Sequence, residues 1–116
     1  MGERIALRAF ASRDDMLSAI AEPTDTPGLR RVPRPLPAGV MWRTPEDDRQ
    51  GREAWAVILS NGNQWSTTEP AEGHPGPFGW EVTGTPPLIT VTPSIDDRWP
   101  GNPWHGWIIN GELVPA

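Results

Sequence analysis

The sequence predicts a small all-β fold, a sandwich or barrel of about six short antiparallel strands, with a short N-terminal helix and an extended proline-rich arm. Three observations lead to this prediction. Short apolar runs alternate with turn signals from residue 39 onward, a pattern typical of β-sandwiches and small barrels. Asn-Gly pairs at 61–62 and 110–111 are the strongest short-range signal for a β-hairpin. Seven tryptophans argue against disorder, although the 116 residues include 12 glycines and 15 prolines.

The chain is predicted to divide into an N-terminal segment, 1–38, and a tryptophan-rich β-domain, 39–116. Residues 4–10 alternate apolar with polar side chains and predict a short strand. A short helix is predicted over 13–21, because Ser12 is a suitable N-cap and apolar side chains follow at helical spacing. A helix this brief is unstable alone, so we expect it to pack on another part of the molecule.

The segment 22–39 is predicted to be extended, with stretches of polyproline II helix. It contains five prolines in eighteen residues, and each proline fixes its own φ and restricts the residue before it. Two interpretations are open at this point. The segment is either a strap across the surface of its own domain or an arm that docks on a partner.

The net charge of −5 conceals an uneven distribution. Between 28 and 52, six arginines stand against three acids, whereas from 53 to 116 Arg98 stands alone against seven acids. An acidic body disfavours general binding of nucleic acid. A basic arm suits docking on an acidic protein surface or on a neighbouring copy of the chain, and the arginines expected to make that contact are Arg30, Arg31 and Arg34.

The β-domain is predicted to consist of short strands, some of them joined in hairpins. Pro93 cannot donate to a strand ladder, so it is expected at an edge, a bulge or a strand end. The predicted elements are a strand at 39–44, a hairpin over 54–69 that turns at Asn61-Gly62, strands at 78–84 and 88–95, and a hairpin over 105–115 that turns at Asn110-Gly111.

The segments GWEVTGTPPLITVTPSI and WHGWIINGEL, at 79–95 and 104–113, resemble a known family. It is a small domain family of unassigned function, found mostly in phages and prophages of actinobacteria and sometimes in bacterial gene clusters for ubiquitin-like conjugation components. Pro93-Ser94-Ile95 matches the middle motif of that family. Trp104-His105 stands where members often carry a Cys-His pair, so the cysteine is replaced here. The resemblance covers about half of the chain and implies a phage-encoded protein.

The sequence predicts no catalytic or metal site, and therefore no enzyme and no cofactor. Ser94 and His105, with an aspartate at 96 or 97, supply the residue types of a catalytic triad, but Ser94 follows a proline rather than standing in a Gly-x-Ser-x-Gly turn. The same aspartates with His105 and His74 lack the ligand spacing of a zinc site. The absence of cysteine excludes disulfides and thiolate ligands.

The tryptophans fall into groups with different expected roles. A buried indole contributes several kcal/mol to a core with few other large apolar side chains, so core packing is expected for three that lie in predicted strands. These are Trp55, Trp65 and Trp80. A second group crowds around two prolines near residue 100, where indoles either stack on proline or stay exposed to bind a partner. Both interpretations are open for Trp99, Trp104 and Trp107.

Together these observations predict a non-catalytic, phage-type accessory protein that binds a protein surface. The expected role is that of a capsid decoration or minor virion protein, located in the virion, with the major capsid protein, another virion protein or copies of the chain itself as partner. No nucleic-acid or membrane partner is expected, since no apolar run approaches the roughly 18 residues of a membrane span, and no signal-peptide pattern opens the sequence. The residues predicted to bind partners are Arg30, Arg31, Arg34, Trp99, Trp104 and Trp107.

Three alternatives are also open. The first is a phage protein in the cytoplasm of the bacterial host that binds a host factor. The second is a metal-dependent or conjugation-related activity through His105. The third is sugar binding by the indoles near residue 100, because tryptophan rings stack on sugar rings.

Overall fold

Two β-sheets packed face to face, with one helix on the outside, make up the protein in the computed structural model, which describes residues 3–49, 51–69 and 80–116. The helix, α1, covers Arg13–Ile20, and a 3-10 turn covers Pro45–Asp47. The strands are β1 (Ile5–Ala6), β2 (Arg8–Phe10), β3 (Glu22–Pro23), β4 (Arg30–Arg31), β5 (Val40–Arg43), β6 (Trp55–Ile58), β7 (Gln64–Ser66), β8 (Glu81–Thr85), β9 (Leu88–Asp97), β10 (Trp104–Ile109) and β11 (Glu112–Pro115).

The larger sheet has five antiparallel strands in the order β1-β11-β10-β9-β8. The smaller sheet has four strands in the order β2-β5-β6-β7, in which β2 runs parallel to β5 and the other pairs are antiparallel. Strands β3 and β4 form a separate two-stranded hairpin. This architecture confirms the predicted all-β class with one short N-terminal helix.

The segment 4–10, predicted as one strand, is divided between the two sheets. Ile5 pairs with Leu113 in the larger sheet, and Arg8 pairs with Val40 in the smaller one. Leu7, between them, is buried in the core that the sheets enclose. The alternation of apolar and polar side chains is therefore retained, while the pairing partner changes in the middle of the segment.

The smaller sheet is covered on both faces, which explains the continuous apolar runs in β5 and β6. Its inner face, with Met41, Val57 and Trp65, packs against the larger sheet. Its outer face packs against α1 and against the chain that follows β4. This second cluster consists of Met16, Ile20, Val40, Trp42, Ala56 and Ile58, with Phe10, Leu17, Val32 and Leu36 at its border.

Helix α1 begins and packs as predicted, and it ends one residue earlier. The Ser12 hydroxyl accepts a hydrogen bond from the Asp15 N–H at 3.0 Å, the contact of an N-cap. Met16 and Ile20 are buried against the smaller sheet, which supplies the tertiary packing that a helix of eight residues needs. No helix within the described ranges is long and apolar enough to cross a membrane.

The proline-rich segment is extended in β3 and β4, but the chain reverses between them. Glu22 pairs with Arg31, and the Thr24 hydroxyl accepts from the Thr26 N–H and donates to the Leu29 carbonyl, which closes the turn. Gly28 in this turn has φ +79°, a conformation that glycine adopts without strain. After β4 the chain packs on the second cluster, so residues beyond 31 form the strap rather than a free arm.

The predicted hairpins and the position of Pro93 are confirmed. The β10–β11 turn places Asn110 at φ 47° and Gly111 at φ 79°, as the tight turns of hairpins require. In the pairing of β9 with β10, Ile95 lies opposite Gly106 and Val91 lies opposite Ile108. Three residues of β9 thus face one residue of β10, and Pro93 lies inside this bulge.

Candidate functional site

Hydrogen bonds of polar side chains join the tips of two hairpins. We call the residues that make these bonds the tip cluster: Asn61, Asn63, Asp97 and Asn102. Asn61 Nδ2 donates to the Asn102 carbonyl, and Asn102 Nδ2 donates to the Asn61 carbonyl, both at 2.8 Å. The Asp97 carboxylate accepts from Asn61 Nδ2 at 2.7 Å and from Asn63 Nδ2 at 3.1 Å. The β6–β7 turn of the smaller sheet is thereby fastened to the β9–β10 loop of the larger one.

Trp99 projects from the loop that the tip cluster holds. The residue is 44% exposed, although tryptophan is normally among the more buried residues. The Asn102 N–H donates to the Trp99 carbonyl at 3.0 Å, which closes a turn behind the indole. Arg98 beside it contacts Asp96 at 3.0 Å, and both side chains are largely in solvent. The loop therefore presents an aromatic and a cationic side chain on a fixed backbone.

The three tryptophans predicted as one partner-binding group lie on three different surfaces. Trp104 faces inward, where it packs on the main core and lies across Gly106. Trp107 lies on the outer face of the larger sheet, partly buried, with its ring centroid 5.9 Å from that of His105. Trp99 is the one of the three that the loop exposes. Trp104 is thus a packing residue in this structure.

The strand tryptophans pack largely as predicted. Trp65 and Trp80 are buried and meet edge to face, with ring centroids 5.3 Å apart. Trp55 is partly buried at the border of the same core. Trp42, which belongs to neither predicted group, is 2% exposed and lies in the second cluster.

The fold brings Ser94 and His105 together, but the described residues do not assemble a catalytic triad. Ser94 Oγ lies 3.0 Å from His105 Nε2 on the exposed face of the larger sheet. Asp96 stands opposite His105 in the strand register, yet its carboxylate contacts Arg98. Asp97 is engaged in the tip cluster. Among the described residues, the Asp96 and Asp97 carboxylates are thus engaged elsewhere, and neither makes the contact to the His105 ring that orients a histidine in nucleophile activation.

The candidate metal ligands of the sequence are not assembled into a site in the part of the chain that the structure describes. Among the described residues, no three His, Asp or Glu side chains converge in a way that could hold a metal ion. His74, the fourth candidate ligand in the sequence, lies outside the described residues.

The three arginines of the predicted docking arm differ in their roles. Arg30 Nη2 donates to the Ala21 carbonyl, so it fixes the β3–β4 hairpin to the end of α1. Arg31 and Arg34 are exposed, and within the described residues neither has a carboxylate within ion-pair distance. Leu29, which precedes Arg30 in the chain, is 56% exposed. Arg31, in the hairpin, and Arg34, in the strap that follows it, are therefore two exposed positive charges without an ion pair among the described residues.

A polar cleft of about 470 Å³ lies beside β7 and is lined mainly by carboxylates and hydroxyls. The Arg43 guanidinium at its border donates to both oxygens of Asp48, at 2.5 and 2.7 Å. This contact, with the N–H of Ala54, holds the pKa of the Asp48 carboxyl below its usual value. The lining consists of Glu46, Asp47, Asp48, Arg49, Gln64, Ser66, Thr68 and Glu69.

A second depression, which we call the edge groove, lies between the two sheets beside β8, an edge strand of the larger sheet. It has a volume of about 210 Å³ and joins β6 of the smaller sheet to β8 and β9 of the larger one. Arg52 Nη2 donates to the Trp80 carbonyl at 3.1 Å, which positions its guanidinium at the groove. The groove is lined by the apolar side chains of Trp55, Val82, Pro86 and Ile89, with Arg52 and Glu53 among its charged members.

Asp97→Ala is expected to destabilise the protein by about 1–3 kcal/mol, because it leaves part-buried amides without their acceptor. Asp96→Ala is the matched control, since that neighbouring carboxylate contacts only the exposed Arg98 in the described structure and should change stability by less than about 1 kcal/mol. Urea unfolding measures both values, and amide hydrogen exchange over 98–103 should accelerate in the first variant alone. Equal effects of the two substitutions would show that the tip cluster does not hold the loop.

Comparisons of the chain with protein-family models, with curated proteins and with solved structures give no match.

Proposed function

We propose that this is a non-catalytic, phage-type accessory protein that attaches to an acidic protein surface through the β3–β4 hairpin and the residues that follow it. The observation that carries the proposal is the pair of exposed arginines, Arg31 and Arg34, without carboxylate partners in the described structure, beside the exposed Leu29. Arginine is among the residues that are enriched in binding hot spots.

The charge distribution along the chain supports an acidic partner surface. The body of the chain is acidic from residue 53 onward, whereas residues 28–52, with six arginines against three acids, form a local region of opposite sign. An isolated positive region steers association with a negative surface and raises the association rate. Arg30 adds rigidity, since its bond to the Ala21 carbonyl holds the hairpin on the helix before any partner binds.

The resemblance to a phage domain family supports a partner in the virion. On this proposal the protein is a capsid decoration or minor virion protein, and the acidic surface belongs to the major capsid protein or to another virion protein. Among the described residues, no carboxylate contacts the Ser94–His105 pair, which supports a binding role over a catalytic one.

The test uses particles of the encoding phage that lack this protein, to which purified full-length chain is added. Arg31→Ala with Arg34→Ala should leave the fold unchanged and weaken attachment on the order of a hundredfold, the loss expected for two charge-assisted hydrogen bonds. Quantitative mass spectrometry of the pelleted particles measures occupancy.

The matched control is Arg4→Ala with Arg13→Ala, which removes the same charge at two exposed positions away from the hairpin. Its occupancy should stay within about threefold of the unmodified chain, since rim charges contribute little. Equal loss of occupancy in both double variants would show that the effect comes from net charge rather than from the hairpin region. Absence of the unmodified protein from particles would overturn the virion role and leave binding of a host factor as the explanation.

A further inference from the structure

We propose that the protein associates with copies of itself head to tail, with Trp99 of one copy seated in the edge groove of the next. This inference goes beyond the proposed function, because it uses neither Arg31 nor Arg34. It rests on three features of the described structure: an exposed indole on a fixed loop, a groove of matching size, and opposite charges beside each of them.

The fit of the indole to the groove follows from size and lining. A cavity of about 150 Å³ with apolar walls accepts a benzene ring, and the edge groove has about 210 Å³. Its apolar walls include Trp55, Val82 and Pro86, which suit an aromatic side chain. The Arg52 guanidinium, fixed by its bond to the Trp80 carbonyl, stands where a cation can contact the face of an inserted ring.

The charges beside the indole and the groove favour a second copy as the occupant. Arg98 precedes the indole and its side chain is 87% exposed, while its contact with Asp96 is a surface ion pair and therefore weak. Glu53 belongs to the groove and its side chain is 71% exposed, with one long contact to Arg43 at 3.8 Å. Insertion of Trp99 thus brings a cation of one copy to a carboxylate of the next.

The geometry of β9 makes this contact intermolecular. The groove includes Ile89, near the start of the strand, and the loop with Trp99 follows Asp97, at its end. A strand of ten residues spans about 30 Å, so the loop and the groove of one copy lie at opposite ends. Different surfaces then meet across the contact, and such a heterologous interface repeats to form a ring or an open chain.

The tip cluster lowers the cost of this association. Asn61, Asp97 and Asn102 fix the loop in the free protein, so little conformational freedom is lost when the indole is buried. An exposed aromatic on a rigid loop is the arrangement expected of a binding anchor, whereas a flexible loop would offset part of the gain from burial.

The first test is sedimentation velocity of the purified full chain over a range of concentrations. The unmodified chain should form oligomers as its concentration rises, and Trp99→Ala should raise the dissociation constant at least about thirtyfold, as a hot-spot residue does. Leu29→Ala is the control, since it removes a comparably exposed apolar side chain from the hairpin and should leave self-association unchanged. An unmodified chain that stays monomeric at millimolar concentration would overturn the proposal.

A charge exchange tests the pairing of Arg98 with Glu53. Arg98→Glu and Glu53→Arg should each weaken association about tenfold, and the two together should restore it to within about threefold, since the opposite charges then face each other again. A double variant that associates no better than either single one would contradict the predicted contact.

Mixing two variants tests the head-to-tail arrangement. Trp99→Ala keeps an intact groove and Glu53→Arg keeps an intact loop, so an equimolar mixture should yield a mixed dimer at concentrations where neither variant associates alone. A contact between two equivalent Trp99 loops would instead let the Glu53→Arg chains pair with one another and leave the Trp99→Ala chains out of every complex, which would overturn the proposal. Arg31→Ala with Arg34→Ala should associate normally, which separates a failure of this inference from a failure of attachment through the hairpin.

Discussion

Gly106→Ala is expected to destabilise the protein by about 3 kcal/mol or more, at the upper end of the cost of overpacking. Gly106 is buried in β10, and a Cβ atom there would lie 2.4 Å from the Val114 carbonyl oxygen and 2.6 Å from the Trp104 ring. The oxygen belongs to the backbone of the neighbouring strand, so relief requires β10 and β11 to separate. The indole would also leave its place on the core, which adds lost burial to the strain.

Equilibrium unfolding in urea measures the cost, and Gly51→Ala is the control. Gly51 has φ +80°, and a Cβ atom added there would meet no atom of the described residues within 4 Å beyond its chain neighbours. The same substitution at this position therefore costs only the left-handed backbone penalty, about 1–2 kcal/mol. Comparing the stability costs of the two substitutions separates the effect of insufficient space from the effect of backbone conformation. If Gly106→Ala cost no more than Gly51→Ala, the close approach of β11 to β10 would be wrong.

The strands and hairpins were predictable because their signals are local. Asn110-Gly111 specifies a tight turn by its backbone conformation, and the bulge at Pro93 follows from its missing N–H. The division of 4–10 between two sheets was not predictable, because pairing with Leu113 and Val40 depends on residues far along the chain. The β3–β4 turn did carry a local signal, the Pro27-Gly28 pair, which favours a reversal.

The candidate site was predictable only in part. Side-chain amides pair across 41 positions between Asn61 and Asn102, and no spacing in the sequence encodes such a contact. The separation of Trp104 from Trp107, in contrast, was available from the sequence. Side chains three residues apart in a strand point to opposite faces, so one had to face inward and the other outward. Exposure of Trp99 depends on the fold of its loop and required the structure.

Trp65→Ala is expected to cost about 3–5 kcal/mol, the range for removing a buried aromatic side chain. Trp65 lies on the inner face of the smaller sheet, is 4% exposed, and meets Trp80 edge to face across the space between the sheets. Trp65 belongs to β7 and Trp80 directly precedes β8, so the surrounding sheets limit collapse into the cavity. Most of the lost packing should therefore appear as lost stability, measured by urea unfolding.

Trp65→Phe separates the packing of the ring from the hydrogen bonding of its nitrogen. Trp65 Nε1 is buried without a hydrogen-bond partner among the described residues, so its removal eliminates an unsatisfied polar group. The phenyl ring retains much of the edge-to-face contact with Trp80, and the variant should lose less than about 2 kcal/mol. Equal destabilisation by phenylalanine and alanine would mean that the nitrogen holds a bond essential to the core. A small loss with phenylalanine and a large one with alanine would establish that the two sheets are held together here by the volume of the ring.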